Sequence, residues 1–304
     1  MPKIEVNGKY DENNISQLIG KLNFIFDLKN KKVNDYNFSI NINTEDFTSI
    51  ASLVIYKSLA YAIDEFCLLN PSVNKETFTD LFAKYHLQEL MLAYLYEKDR
   101  DKIYANIKPV VKNDFFIAPH PISRVDFKNL DDIEAKYYKT IKDYYKNSND
   151  GIVDCIKTCI VEISSNFHYH ATDKKSILMA EGNANRIEII SVDTSEGIIG
   201  TMKKEYKNVT DKDLILNAFK RRVSSKINKG HCGTGLWLVN EMVTKLKGKL
   251  ILHTGGYIYR NIQGKVTIFA SSKWKGTVLY VKIPISNDMD NLIEDLFTNE
   301  KKYI

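Results

Sequence analysis

Cysteine is scarce in this chain of 304 residues: four are present, and no two of them form a CxxC pair. Cys155 and Cys159 lie one helical turn apart, which favours two small core residues over a disulfide or a metal site. Because the sequence has neither a disulfide framework nor a zinc motif, we expect the protein to work in the reducing cytoplasm.

Long hydrophobic runs are also missing. Residues 1–14 contain no apolar stretch of the kind that a signal peptide needs. The longest apolar segment, residues 48–63, includes Lys57 and falls short of the roughly 20 apolar residues that cross a bilayer. We therefore expect no membrane span and interpret this segment as a buried amphipathic helix.

A strong excess of charge of either sign is absent as well. The 43 Lys and Arg residues only slightly outnumber the 38 Asp and Glu residues, which gives a net charge of +5. This balance neither indicates nor excludes a nucleic-acid partner, because a basic patch would have to be local. The length suffices for one large domain or two smaller ones.

A proline-bearing segment divides the chain. Residues 117–130, which include APHPISRV, are expected to connect an N-terminal α/β domain (residues 1–120) to a second domain (residues 130–286). Residues 287–304 are expected to form a C-terminal tail. The N-terminal part alternates as a strand at residues 37–42, and it vaguely resembles the small STAS-like modules that accompany some ATPases.

Hydrophobic periodicity predicts the elements of both domains. In the first domain, residues 74–104 are expected to be helical. In the second domain two helices, residues 131–148 and 151–171, precede two strands, a polar region and a further helix. Three more strands are expected at the end: 249–254, 265–271 and 277–285. This order predicts an α+β fold, with helices layered on one face of a largely antiparallel sheet.

A glycine-rich segment stands before the last predicted helix. GHCGTGL places Gly230, Gly233 and Gly235 ahead of a helix that begins near Leu236. Glycines let a backbone approach a phosphate closely, and a helix N-terminus offers free N–H groups. The spacing is neither that of a P-loop nor that of a dinucleotide fingerprint, and the sequence lacks the eukaryotic-type kinase signatures. A phosphate site and an ordinary turn are equally consistent with this segment alone.

Two further patterns contain a carboxylate or an amide. Asp193 ends an alternating strand and Gly197 follows in a turn, so the carboxylate can accept a hydrogen bond from an amine such as that of adenine. Upstream, Glu162, Asn166 and His170 recur every four residues and share one face of a predicted helix. An Asn oxygen suits Mg²⁺, and a Glu one turn away can deprotonate a water or a hydroxyl. Each pattern alone is more typical of a plain turn or a solvent-facing stripe.

In the order ExxxN…HA, DxxxG and GxxGxGL, the three patterns together resemble the Bergerat-fold (GHKL) ATPases. This superfamily includes gyrase B, the MutL repair proteins, a heat-shock chaperone, histidine kinases and anti-sigma-factor kinases. The resemblance covers residues 130–285 and extends to the segments SSK, KGKLILHTG and KGTVLYVKIP. It implies a two-layer α/β sandwich whose helices cover a mixed, mainly antiparallel sheet. It also implies ATP and Mg²⁺ as ligands, with the cytoplasmic anti-sigma-factor kinases closest in style.

The resemblance implies a role for each matching residue. Asn166 would coordinate the Mg²⁺ that bridges the ATP phosphates, and Glu162 would be the general base. Asp193 would bind the adenine amine. The nucleotide would also contact residues of the glycine turns and of the last strand: Gly197, Gly233, Thr234, Gly235, Leu236 and Thr277. His170 matches a position that is more often structural, so it is left outside the predicted catalytic set.

Two features qualify the resemblance. The first glycine box of the family is usually DxGxG, and Ser195 replaces its middle glycine, so that either a positive φ is strained there or the turn is built differently. Residues 200–232 correspond to the ATP lid of the family. Its cations are interpreted either as a solvated basic face or as groups that reach the γ-phosphate on lid closure: Lys220, Arg221, Arg222, Lys226 and Lys229.

A phosphoacceptor histidine of the sensor-kinase type is not predicted. His86 lacks the acidic neighbour that usually follows such a histidine, and His120 lies between two prolines. Glu162 also fills a position where histidine kinases more often carry Asn. The standard histidine-kinase interpretation is therefore weakened.

The sequence predicts a cytoplasmic bacterial ATP-binding protein that depends on Mg²⁺, in which slow hydrolysis drives a lid-closure switch that controls a protein partner. Two alternatives stay open: a serine/threonine or atypical histidine kinase acting on a small partner, and a non-catalytic nucleotide-sensing module, which Ser195 motivates. Nucleic acid is an unlikely partner because no transducer domain fits after Ile285. A dimer is compatible with the sequence, and the partner is expected to be encoded nearby.

Overall fold

The computed structural model of the protein describes residues 3–27, 39–43, 48–66, 72–73, 115–122, 127–145, 150–170, 176–225 and 233–285, with residues 292, 295 and 296. The elements in its N-terminal part are β1 (Lys3–Asn7), α1 (Ile15–Leu22), α2 (Phe24–Asp27), β2 (Ser39–Asn43), α3 (Ser49–Phe66) and β3 (Ser72–Val73). The following elements are β4 (Phe115–Ile122), α4 (Phe127–Tyr144), α5 (Asp150–His170), β5 (Ser176–Asn183), β6 (Arg186–Val192), α6 (Gly197–Met202), α7 (Asp211–Ala218), α8 (Gly235–Lys245), β7 (Lys249–Ile262) and β8 (Lys265–Pro284).

A five-stranded sheet organises the larger part of the molecule. Its strand order is β4-β5-β6-β8-β7, and every neighbouring pair is antiparallel. This confirms the largely antiparallel sheet that the sequence predicts. The helix-rich, mixed α and β composition is also as expected, whereas the specific Bergerat fold stays a prediction.

The sheet is buried on both faces. In β5, Ile177 and Met179 belong to one hydrophobic cluster, whereas the alternate residues Leu178 and Ala180 belong to another. Successive side chains of a strand point to opposite faces, so a strand that is buried on both reads as a nearly continuous apolar run. Helices α4, α5 and α8 cover one face, as expected, and α1 and α3 of the N-terminal part cover the other.

The N-terminal part has a small sheet of its own. Strands β1, β2 and β3 are parallel in that order, and the strand predicted near residues 37–42 is found as β2. Aromatic contacts join this part to the end of the large sheet: the ring of Phe26 lies 4.9 Å from that of Trp274, edge to face. Nearby, Lys275 Nζ donates a hydrogen bond to the hydroxyl of Tyr61 at 2.9 Å. The N-terminal part therefore packs against β8 at Trp274 and Lys275.

The connector expected at residues 117–130 is wrong at both ends: residues 117–122 belong to β4 and residues 127–130 begin α4, while residues 123–126 lie outside the described residues. Residues Phe115–Ile122 form β4, which pairs with β5 and belongs to the large sheet. The prolines are tolerated because β4 is an edge strand, where one row of backbone N–H groups needs no partner, and the register shifts between Ile117 and His120. The expected boundary at residue 120 therefore cuts through a strand.

The three strands predicted at the end of the second domain correspond to two strands in the structure, β7 and β8. Strand β8 runs without interruption from Lys265 to Pro284 and joins the segments predicted as separate strands. Its partner β7 changes register on either side of Gly255. The hairpin bends back at this point, because Gln263, just after the end of β7, donates from its N to Gly248 O, just before the start of β7, at 2.9 Å. A bulge in the partner strand thus takes up the bend that the sequence suggested as a break in β8.

Several smaller expectations are confirmed. Helix α5 lies where it was predicted, and Lys57 is buried in α3 at 1% exposure. Helix α4 is found at Phe127–Tyr144 instead of the predicted residues 131–148. Cys155 and Cys159 are free thiols of the core, and burial raises the pKa of Cys155 to about 12. The helix predicted at residues 74–104, including His86, lies outside the described residues. Within the described residues, no helix is long and apolar enough to cross a membrane.

Candidate functional site

One cleft brings the three sequence patterns together. Its empty volume is ≈ 770 Å³, which includes open solvent at its mouth. Seven of the nine predicted site residues line it: Asn166, Asp193, Gly197, Gly233, Gly235, Leu236 and Thr277. Glu162 and Thr234 lie beside this lining without being part of it.

The stripe of α5 runs along one wall of the cleft. Asn166 and His170 line it, and Glu162 lies one turn before Asn166. The Nδ2 atom of Asn166 is buried and makes no hydrogen bond with the described residues. Because a buried amide without a partner is costly, this group is suited to a ligand. Burial raises the pKa of Glu162, which is half-buried.

The start of α8 touches this stripe. A Cβ added to Gly235 would fall on Glu162 Oε2 and would lie 3.1 Å from Asn166 Nδ2. The first backbone groups of α8 therefore lie against the carboxylate and the amide of α5. The first N–H groups of a helix have no partner within the helix, so this contact places free donors next to a group that can bind a cation.

A Gly233→Ala exchange is expected to lower the free energy of unfolding by about 1–3 kcal/mol, because Gly233 has a φ of +65° and the added methyl group would overlap the backbone of Val223. Urea unfolding measures the change. The matched control is Gly256→Ala, whose Cβ would meet nothing closer than Ser271 O at 3.7 Å. Equal stability of the two variants would contradict the close packing described here.

Glu162→Gln is expected to raise the free energy of unfolding near pH 8 and to change it little at pH 4. Because burial raises the pKa of Glu162 above 4.5, the native state keeps a proton that the unfolded chain releases, and stability falls as the pH rises through the higher pKa. The amide has no charge to bury. Unfolding at several pH values tests this, with the exposed Glu205→Gln as control. A difference that does not depend on pH would argue against it.

The carboxylate of Asp193 is a buried part of the cleft lining. The residue is 2% exposed, and its Oδ2 accepts a hydrogen bond from Thr277 N at 3.0 Å. Its Oδ1 accepts one from Ser195 N at 2.8 Å and another from Ser195 Oγ. These three hydrogen bonds fix the orientation of a carboxylate that also lines the cleft.

The structure settles how Ser195 replaces the usual glycine. Ser195 does not have a positive φ. Among the described residues, the non-glycine residues with a positive φ are Asn208, Arg222, Lys247 and Gln263. The turn is instead closed by the side chain of Asp193, which accepts from the backbone and the hydroxyl of Ser195. Of the two alternatives, the turn is therefore built differently, and no strain arises at this serine.

Gly197 is the position where this turn requires glycine. Its φ is +68°, and a Cβ there would lie 2.5 Å from Gly276 O and 2.6 Å from Thr254 Oγ1. The hydroxyl of Thr254 accepts a hydrogen bond from Ile198 N at 3.1 Å, which ties the first turn of α6 to β7. The turn after Asp193 is thus held against both long strands.

Apolar side chains form the walls next to Asp193. Ile198 and Met202 of α6 face the cleft together with Leu252 of β7 and Leu279 of β8. A flat ring would be held between such walls while one polar edge meets the carboxylate. The sequence predicted Asp193 in this role but gave no signal for the four apolar residues, which come from three different elements.

The glycine turn before α8 lines the cleft next to the stripe of α5. Gly233 has a φ of +65°, and its Cβ would lie 2.8 Å from Val223 N. Thr234 is the N-cap residue of α8 and makes no side-chain cap hydrogen bond, while its carbonyl accepts from Leu238 N at 2.8 Å. The N–H groups at this helix start are therefore not satisfied by the capping side chain. Gly230 lies outside the described residues.

The described part of the predicted lid consists of α6, α7 and the segment up to residue 225. The guanidinium of Arg221 lies 4.9 Å from the ring centre of Trp237 in α8, and Lys220 and Arg222 are exposed. None of the three lines the cleft. Lys226 and Lys229 lie outside the described residues, so the assignment of a lid cation to the γ-phosphate stays a prediction.

Sequence reasoning missed two contributions to the site. His170 was left as a structural residue, yet it lines the cleft, and its Nδ1 lies 3.1 Å from the hydroxyl of Ser225 in the lid segment. Trp274 supports Asp193 from behind, since its Nε1 donates to Asp193 O at 2.8 Å. The four-residue spacing after Asn166 was a signal for His170, whereas the sequence held no signal for the tryptophan.

A preformed metal centre is not seen in the described part of the chain, where no three His, Cys, Asp or Glu side chains cluster. Mg²⁺ does not require one, because it commonly takes one or two protein oxygens and completes its shell with phosphates and water. The unsatisfied atom of Asn166 is its amide nitrogen, a donor that suits a phosphate oxygen, whereas its Oδ1 is the atom that would hold the ion.

Comparison with known proteins assigns no family to this geometry. No protein-family model matches the chain, and no curated protein matches it. The chemistry of the cleft is therefore interpreted from its own residues, which offer one buried carboxylate, one unpaired amide and a helix start around an apolar slot.

Proposed function

We propose that this protein binds ATP with Mg²⁺ in the cleft, in the manner of the Bergerat ATPases, and uses nucleotide binding as a switch. The observation that carries the proposal is that three segments far apart in the chain, around Asn166, Asp193 and Gly233, line one cleft. Three unrelated polar patterns would have no reason to converge, whereas a nucleotide needs all three at once.

The two ends of the cleft differ in the way that ATP requires. At one end Asp193 can accept a hydrogen bond from the adenine amine between apolar walls. At the other end the glycine turn and the first N–H groups of α8 suit phosphate oxygens, since a helix start carries a partial positive charge. The slot would thus hold the base near Asp193 and the phosphates near the start of α8.

Asn166 would hold Mg²⁺ beside the phosphates, where the ion neutralises phosphate charge. Glu162, half-buried behind Asn166 and Gly235, is placed to take a proton from an attacking water. Water would add to the γ-phosphorus while the bond to the β-phosphate oxygen breaks, giving ADP and phosphate. The raised pKa of Glu162 brings this base closer to neutral pH. Slow turnover is expected, and the protein would act in the cytoplasm.

The switch would lie in the segment from α6 to α8. This segment lines the cleft with Val223, Ser224 and Ser225, so a bound nucleotide contacts it directly. Closure over the phosphates would change the surface that a protein partner meets. A kinase acting on that partner shares the same cleft and base, and differs only in whether a protein hydroxyl replaces water.

Calorimetry with ATP, with and without Mg²⁺, tests the proposal. We expect binding that weakens without the metal and weakens by about 10-fold or more in Asn166→Ala, since a charge-assisted contact contributes about 1.5–3 kcal/mol. The exposed Asn185→Ala is the matched control. Absence of binding to the wild-type chain, or equal affinity of Asn166→Ala, would refute the proposal. Radiolabel recovered on a partner instead of as free phosphate would identify a kinase.

A further inference from the structure

A serine and a histidine meet at the wall of the cleft. The Oγ of Ser225 lies 3.1 Å from the Nδ1 of His170, across 55 residues of chain. Both side chains are half-buried and both line the cleft. We propose that Ser225 is a phosphoryl acceptor: its hydroxyl takes the γ-phosphate of ATP in the cleft, with His170 as the general base. This inference rests on the proposed function, because it requires ATP in the cleft.

The pair lies at the phosphate end of the cleft. The backbone of Val223 runs against Gly233, with only 2.8 Å from Val223 N to the position of an added Cβ, and Ser225 follows two residues later. His170 follows Asn166 by one helical turn on the same stripe of α5. The pair therefore lies next to Gly233, which is assigned to phosphate, and next to Asn166, which is assigned to Mg²⁺. Asp193 and its apolar walls are assigned to the base.

The chemistry of the pair is that of an activated hydroxyl. A serine hydroxyl is a weak nucleophile and needs a base within hydrogen-bond reach. In the tautomer with its proton on Nε2, the imidazole of His170 offers Nδ1 as an acceptor to the hydroxyl of Ser225. Glu162 is placed at the other side of Asn166, against the start of α8. The two bases therefore serve different nucleophiles: Glu162 a water, and His170 the serine.

The transfer balances without a further reagent. A bond forms between Ser225 Oγ and the γ-phosphorus as the bond from phosphorus to the β-phosphate oxygen breaks. ADP leaves with that electron pair, and the hydroxyl proton passes to His170 Nδ1. The product carries a charge of about −1.5 to −2 at the phosphate end of the cleft. This charge would repel the γ-phosphate of a second ATP, so each chain is expected to accept one phosphate.

The experiment uses the full chain with ATP and Mg²⁺, and it maps phosphate by fragment mass spectrometry. We expect one phosphate per chain, located on Ser225 and absent from Ser225→Ala. His170→Gln is expected to slow its formation by about 10²–10⁴-fold, with a pH–rate profile that loses its acid limb. Thr267→Ala, which removes an exposed hydroxyl of β8 that does not line the cleft, is expected to keep the phosphate on Ser225.

Calorimetry on the same samples separates this inference from the proposed function. ATP binding without phosphate on Ser225, or with phosphate on Ser224 instead, overturns the acceptor assignment and leaves the nucleotide site intact. Absence of ATP binding overturns both. A rate that is unchanged in His170→Gln would leave Ser225 as acceptor and remove His170 as its base. Because the mapping is done on the wild-type chain, the acceptor assignment does not depend on the folding of any variant.

Discussion

Replacing Asp193 by Asn is expected to weaken ATP binding by about 30- to 1,000-fold, which corresponds to about 2–4 kcal/mol. The carboxylate accepts hydrogen bonds from Thr277 N and from Ser195 and is 2% exposed. An amide at this position must turn its NH₂ group toward a donor on one side, either the protein or the adenine amine. Buried donors that face each other carry the full cost of desolvation without a bond.

Two measurements separate recognition from folding in this variant. Urea unfolding without nucleotide is expected to show a loss of about 1–3 kcal/mol, because one internal hydrogen bond is also disturbed. Calorimetry at a temperature where the variant is folded then gives its affinity. The control is Asp211→Asn, which removes only a surface ion pair with Lys203. ATP affinity within a few-fold of wild type in folded Asp193→Asn would exclude adenine recognition by this carboxylate.

His253 is expected to make the fold sensitive to acid. Its side chain in β7 is 1% exposed, and neither ring nitrogen has a hydrogen-bond partner among the described residues. Burial and the nearby charge of Arg260 lower the pKa of His253 from 6.5 to about 3. Between these two values the unfolded chain therefore binds a proton that the native state does not bind. The free energy of unfolding decreases as the pH falls from 6.5 toward 3.

Each pH unit in that window is expected to cost about 1.4 kcal/mol. In His253→Leu this part of the pH dependence should disappear, and stability near pH 7.5 should rise by about 1–3 kcal/mol, because two unsatisfied nitrogens are removed. His253→Gln should also remove the pH dependence but bring no gain at pH 7.5. Urea unfolding of the three proteins between pH 7.5 and 4.5 measures both effects. Parallel pH profiles for wild type and both variants would contradict the buried neutral histidine.

The sequence was most informative where chemistry repeats at short range. The four-residue stripe of α5, the carboxylate at the end of β6 and the glycines before α8 are each local patterns, and the cleft contains residues from all three. Strand β5 is buried on both faces, and its sequence is accordingly a nearly continuous apolar run. A run of this kind does not reveal what covers the second face.

The remainder depends on contacts between distant segments. The prolines of β4 argued for a connector, and only the edge position of the strand allows them to pair. The bond between Ser225 and His170 spans 55 residues, and the support of Asp193 by Trp274 spans 81. No periodicity encodes such pairs, because they arise from the way the sheet brings separate elements to one end.

The chain contains only two tryptophans, and each contacts a residue of the cleft lining or of the lid segment. Trp274 reports on the base end through its bond to Asp193, and Trp237 reports on the lid segment through Arg221. The intrinsic fluorescence of the protein therefore has two sources, and in Trp237→Phe only the emission of Trp274 would remain. A titration followed by fluorescence could thus show whether a ligand fills the base subsite before or after the lid segment moves, with no label attached to the protein.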